Sequence, residues 1–244
     1  MKLQYLGDSK DAFKWDYLDF LARKMKMDLH VIPMLTPDDS KSEGSTPSLW
    51  FPASDGVEEF CGQLRENRKL EQILQLPKCT GGDYQVRLHN PCNSTDKFFR
   101  HSKRVEYFDA VNFASCQGQM VFLDPDIGFQ PAKTINEKHV KYSDMEIIWP
   151  EIHEDSIVVV FQHGRRMSVP FCEHYKEIRD GLRQCRLENF HSTALFWCDK
   201  LMFVAIGKSR EQIEEVRDAN FKYQRKGRPV LVIEAQKCAP GNGE

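Results

Sequence analysis

Two segments put ionisable side chains directly after apolar runs. Met120 to Leu123 reads as a buried strand and delivers Asp124-Pro125-Asp126 at its end. Ligands in open α/β sheets bind outside the carboxyl ends of the strands, so this acidic corner is a candidate active-site turn. Pro125 fixes its own φ and biases Asp124 toward extended geometry, which aims the first carboxylate. Gly128 permits a tight exit from the turn. The plainer alternative is an ordinary Asp-Pro turn whose acids cap the next helix. The second segment is Ser156 to Phe161 (SIVVVF), β-branched as in a strand buried on both faces. It runs into Gln162-His163-Gly164-Arg165-Arg166. In a parallel sheet both turns share one edge, and His163 faces Asp124 or Asp126 across a cleft. A neutral imidazole would hydrogen-bond a developing charge, and a protonated one would stabilise it electrostatically. Gln162, Arg165 and Arg166 are candidate substrate contacts, with the arginines suited to phosphate. A histidine bonded within its own turn and solvated arginines are the competing expectation.

A third segment is Gly7-Asp8-Ser9-Lys10-Asp11-Ala12-Phe13-Lys14. Asp8 or Ser9 suits a helix cap. The functional expectation is that Asp8, Lys10 and Lys14 reach the same edge and bind substrate; the simpler one is a well-capped amphipathic helix. Two basic runs complete the set. Lys97, Arg100, Lys103 and Arg104 interleave with Phe98 and Phe99, and Lys222, Arg225, Lys226 and Arg228 follow one another around Tyr223. Cations mixed with aromatics suit backbone tracking plus base stacking on a nucleic acid, although most such runs are only solvated faces. Metal ligation is weakly signalled: Cys172-Glu173-His174 and the pair Cys185, Cys198 lack structural zinc spacing, and no metal site is expected.

The elements that must position these residues follow from periodicity. Phe13, Tyr17, Phe20 and Leu21 predict a helix over about 10–26. Leu29 to Leu35 predicts a short buried strand, and Thr36 to Asp55, rich in Pro, Ser, Asp and Gly, a loop or lid. Helices are expected at about 57–76, stopped by Pro77, at 97–111, near 143–149, at 171–186 and at 209–220. Short strands are expected at 84–88 and 229–234, and 193–198 with 201–206 reads as a hairpin about Asp199-Lys200. Strands alternating with helices predict an α/β class: a three-layer α/β/α sandwich with a mostly parallel central sheet and a C-terminal β-hairpin. One α/β catalytic domain is expected over 1–236, with an irregular lid or insert at about 36–96 and a flexible tail at 237–244.

Composition narrows the classes. The chain has 244 residues, enough for one substantial core, and a formal net charge of −2, so no whole-molecule field drives it to DNA or membrane. No apolar run approaches the roughly 20 residues of a membrane helix. The N-terminus lacks a signal-peptide apolar region, and the 8 cysteines include no Cys-x-x-Cys, so free thiols and a cytoplasmic location are expected.

Val121 to Asp126 resembles the strand ending in Asp-Pro-Pro-Tyr/Phe of the class I S-adenosylmethionine-dependent adenine and guanine N-methyltransferases. Residues 157–166 resemble that family's next strand, 194–206 its closing hairpin, and 5–21 the start of an rRNA adenine methyltransferase family. The resemblance implies that the Asp-Pro turn holds a flipped base. Here Asp126 replaces the second proline and Ile127 the aromatic. Where the Gly-rich cofactor turn belongs, the chain reads Thr36-Pro37-Asp38-Asp39; Gly241-Asn242-Gly243 alone has the Gly-x-Gly form. A looser resemblance, to the uracil-DNA glycosylase superfamily, rests on the order of Asp124-Pro125 and His163. It implies that Asp124 activates water or stabilises an oxocarbenium ion while His163 bonds the leaving base.

The leading expectation is therefore a cofactor-free enzyme acting on nucleic acid, DNA in the first instance. It takes a flipped base into the Asp-Pro-Asp pocket and hydrolyses the N-glycosidic bond, in repair or in anti-phage defence, with Asp124, Asp126 and His163 catalytic. The alternatives are an S-adenosylmethionine-dependent nucleic-acid methyltransferase with a degenerate cofactor loop, a metal-dependent nuclease built on Asp124 and Asp126, and a binding module without catalysis.

Overall fold

The computed structural model describes residues 1–39, 51–89, 98–131, 136–164, 170–185, 187–197 and 201–233. The strand after the first helix, β1 (Leu29–Pro33), lies at the centre of one half of a seven-stranded sheet. Its neighbours are β2 (Val86–Leu88) and β3 (Met120–Asp124), both parallel to it. β6 (Ile157–His163) adds in parallel beside β3. β8 (Leu201–Gly207) then pairs antiparallel with β6, β7 (His191–Trp197) with β8, and β9 (Val230–Ile233) with β7. The order is β2-β1-β3-β6-β8-β7-β9. By these pairings β8 and β9 alone run against the other five strands. Two short strands, β4 (Gly128–Phe129) and β5 (His139–Val140), form a separate parallel pair just beyond β3.

Alternation along β3 explains how a continuously apolar strand arises. Met120 and Phe122 face one layer, Val121 and Leu123 the other, and all four are fully buried. The first layer holds α1 (Ser9–Met25), α2 (Asp55–Asn67), α3 (Leu76–Thr80) and α7 (Arg210–Arg225). The second holds α4 (Arg104–Asp109), α5 (Tyr142–Glu151) and α6 (Phe171–Gln184). This is the expected three-layer α/β/α sandwich, parallel through its middle, with β7 and β8 as the hairpin. The hairpin turn itself falls outside the described residues.

Several boundaries moved for local reasons. The helix expected to run to Leu76 ends at Asn67, because Arg68 adopts a left-handed φ of 49°. A 3-10 turn (Leu70–Gln75) and α3 follow, and Pro77 opens α3 rather than stopping a helix. The expected 97–111 helix shrinks to a 3-10 turn (His101–Lys103) and the six residues of α4. Within the 36–96 region the expected helix and short strand appear as α2 and the edge strand β2, with α3 added between them.

No helix among the described residues is long and apolar enough to cross a membrane. Cys61, Cys79, Cys116, Cys172 and Cys185 are unbridged, as expected for them; Cys92, Cys198 and Cys238 lie outside the described residues.

The first-layer core centres on Phe203 of β8, whose ring lies 4.6–6.2 Å from those of Phe13, Tyr17, Phe122 and Phe161. Truncating it leaves a cavity that rings held on one helix and two strands cannot close. Phe203→Ala is expected to cost about 3–5 kcal/mol in urea unfolding.

Candidate active site

The carboxyl ends of β3 and β6 open into a cavity of about 440 Å³. Its walls come from four places: the N-terminal segment (Lys2, Tyr5), the first turns of α1 (Asp8, Lys10, Asp11, Lys14), the turn after β3 (Asp124, Pro125, Asp126, Ile127) and the end of β6 (Phe161, His163). Asp39 and Lys138 complete the rim. Asp124, Asp126 and His163, expected from sequence to meet across a cleft, therefore share one hollow with Asp8, Lys10 and Lys14.

The deepest feature is an ammonium held between two acids. Lys14 Nζ lies 2.6 Å from Asp11 Oδ1 and 2.8 Å from Asp124 Oδ2. All three side chains are at most 8% exposed. Burial works against the lysine's charge, but Asp11 and Asp124 outweigh it and hold the ammonium above its ordinary range. Burial pushes the Asp124 carboxyl up, and Lys14 pulls it back. Asp124 is thus committed to Lys14 and only 1% exposed. Its neighbour Asp126 has looser partners, Lys138 at 3.9 Å and Lys2 at 4.0 Å, and is the more open carboxylate of the turn.

His163 ends β6, and its backbone N–H donates to Ile127 O at 2.7 Å, which joins the two turns. Burial, reinforced by the Lys10 ammonium and opposed by Asp126, pulls its imidazole down to about 3. The ring is therefore neutral near pH 7 and acts as a hydrogen-bond partner rather than a fixed positive charge. Asp8 caps α1, with Oδ1 accepting from Lys10 N and Asp11 N at 2.9 Å each. Burial and then the adjacent Asp11 carboxylate push Asp8 up to about 6.

Gln162 departs from its expected role. Its side chain is 2% exposed and holds the turn: Oε1 accepts from Phe129 N at 2.6 Å, and Nε2 donates to His163 O at 2.6 Å. Gly128 is required there, because at φ 131° a Cβ would lie 2.2 Å from Gln162 Oε1. Gln162 therefore positions the acidic corner and is not a substrate contact.

The basic runs are also partly consumed. Arg104 is buried against Asp144, with Nε–Oδ1 at 2.9 Å and Nη2–Oδ2 at 2.5 Å, and it donates to His139 O, so it is no nucleic-acid contact. Arg228 grips Asp16 at 3.0 and 3.1 Å. Arg100, Lys103, Lys222 and Lys226 remain exposed. They lie in opposite layers, and both runs end near the carboxyl edge, where Phe99 N meets Leu35 O and Val230 pairs with Trp197. Lys97, Arg165, Arg166 and the Arg225 side chain lie outside the described residues.

Sequence reasoning missed Lys2, Tyr5, Asp11, Asp39 and Lys138. Asp11 carried a signal in its i,i+3 spacing from Lys14; Lys2 and Tyr5 lie just before Asp8 in the chain, while Asp39 and Lys138 are brought in from other segments. Among the described residues no group of three or more His, Cys, Asp or Glu is placed to hold a metal ion. Asp124 already has its cation in Lys14.

No protein-family model, no curated protein and no solved structure matches the chain.

Removing the buried ammonium strands two carboxylates in a low-dielectric site. Lys14→Met is expected to cost about 3–5 kcal/mol at pH 7 by urea unfolding. The deficit should shrink as pH falls, because the variant's raised acids take up protons in the folded state before they do in the unfolded one.

Proposed function

We propose that the chain is a hydrolase that draws a nucleobase, extruded from a nucleic acid in the cytoplasm, into this cavity and cuts its N-glycosidic bond. One observation carries the reading: the open Asp126 carboxylate and the neutral His163 imidazole line the same hollow at the carboxyl edge of the sheet. Its volume falls in the range of about 300–1,000 Å³ common for small-molecule sites, so a base and its sugar can enter. N-glycoside cleavage builds positive charge on the sugar and negative charge on the departing base. Asp126 answers the first demand, either against the oxocarbenium-like sugar or by taking a proton from attacking water. A neutral imidazole answers the second by hydrogen-bonding the base without adding a fixed charge. Asp124 takes no direct part; it anchors Lys14 and stiffens the corner.

Nucleic acid as the carrier draws on Lys103, Lys222 and Lys226, exposed cations that flank the edge and suit backbone phosphates, while Arg104 and Arg228 pair with Asp144 and Asp16.

The methyltransferase reading draws support from the β7–β8 hairpin set against β6 and the Asp-Pro corner after β3. Residues at the N-terminus weigh against it. Thr36 N donates to Met1 O at 2.8 Å and the Met1 amine to Met34 O at 2.8 Å, so chain lies over the end of β1 where a cofactor turn would open. Calorimetric titration with S-adenosylmethionine separates the two, and micromolar binding would favour the transferase.

Incubation with single- and double-stranded oligonucleotides and with free nucleosides, scored for released base, tests the hydrolase directly. Asp126→Asn is expected to lower release by about 100-fold or more with the fold intact by circular dichroism. Full activity in that variant would remove the carboxylate from the chemistry.

A further inference from the structure

We infer that Asp8 is the general acid of this site, handing a proton from its carboxyl group to the base as the N-glycosidic bond breaks. The inference rests on the hydrolase reading above and adds the residue that reading lacks. His163 is neutral near pH 7 and has no acidic proton to give up. Asp126, with two ammonium neighbours, is placed to accept a proton from water. The His163 hydrogen bond eases departure of the base as an anion, and a proton donor beside it lets the base leave neutral, which lowers the barrier further.

Five carboxylates line the cavity. Four have an ammonium within 4.0 Å: Asp11 and Asp124 share Lys14, Asp39 has Lys2 at 2.5 Å, and Asp126 has Lys138 and Lys2. Asp8 alone has none among the described residues. It is 4% exposed, and its Oδ1 is fully occupied by two backbone N–H groups of α1. Its Oδ2 receives no hydrogen bond from any described residue. A carboxyl group that is buried, lacks a cation and sits beside the Asp11 carboxylate keeps its proton more readily than an exposed one.

The groups around it act in both directions. On α1, burial and the Asp11 carboxylate favour the protonated form, while the Asp11 backbone N–H, Lys10 and Lys14 oppose it. From α2, Cys61 keeps its proton because burial raises its thiol, and Arg65 is turned to Gly7 O at 2.6 Å. Across the cavity stand Asp124, Asp126, Lys2, Lys138, His163 and the Met1 amine. The balance pushes Asp8 up to about 6, and Asp126 stands on a separate wall of the cavity beside Lys2 and Lys138.

The step balances. The C1′–N bond breaks with its electron pair going to the base nitrogen, which takes the Asp8 proton and leaves neutral. Water oxygen bonds C1′ and its proton passes to Asp126. Solvent then restores the proton to Asp8 and removes the one on Asp126.

The test uses Asp8→Asn, since asparagine caps a helix as well as aspartate, with Asp8→Ser as a second non-titrating cap. On the oligonucleotide or nucleoside that the wild type cuts, kcat/KM for the wild type should fall about tenfold per pH unit above about 6. Both variants should lose that limb and run about 100-fold or more slower near pH 5. On a 4-nitrophenyl riboside, whose leaving group departs without protonation, they should stay within about threefold of the wild type. Variants that keep the alkaline limb, or that are equally crippled on both leaving groups, overturn the role of Asp8. A wild type that releases no base from any substrate overturns instead the hydrolase reading beneath it.

Discussion

A buried ammonium must find anions or lose its charge, and in this protein that demand is met by two acids from different parts of the chain. Lys14 and Asp11 lie one turn apart on α1, and Asp124 lies 110 residues further on at the end of β3. Bringing them together sets the first turns of α1 over the carboxyl edge of the sheet, and that placement creates the cavity. The same contact ties Asp124 into the ion triad. What is left facing the hollow is a set of groups with different electrostatic fates: Asp126 with loose cation partners, His163 kept neutral, and Asp8 with no ammonium within 4.0 Å among the described residues.

Around that ion triad the structure spends polar side chains as struts. Gln162 reaches back from β6 to the backbone of Phe129 and His163, and Gly128 leaves room for it. On the other layer Arg104 closes on Asp144 and the β5 backbone, fixing α4 against α5. Arginine's planar fork suits this use, since several donors can be satisfied at once inside the protein. The two turns at the carboxyl edge are thus held from both layers, which fixes the geometry of the groups that line the cavity.

Much of the architecture could be read from the chain, because burial on both faces leaves continuous apolar runs. β3, β6, β7 and β8 were all visible this way, and α1 showed through its helical stripe. β4 and β5 were not, being two residues long each, and such pieces hold only through neighbours supplied elsewhere. Within the basic run at 97–104, Arg104 proved a structural residue for a related reason. A cation and its distant acid look solvated until folding joins them, as happens when Asp144 meets Arg104 across 40 residues.

The sequence by itself determined the three-layer class and the presence of an acidic, proline-stiffened corner and a histidine at the ends of two apolar strands. These follow from local pattern: period, apolar continuity and turn chemistry act over a few residues. Only the tertiary structure decided which acid is loosely paired, which is locked and which has no ammonium within 4.0 Å among the described residues, and that Gln162 and Arg104 serve the fold. Those assignments depend on burial and on charges brought close by packing. Coulomb interactions and desolvation act through space, and the order of residues along the chain does not record that distance.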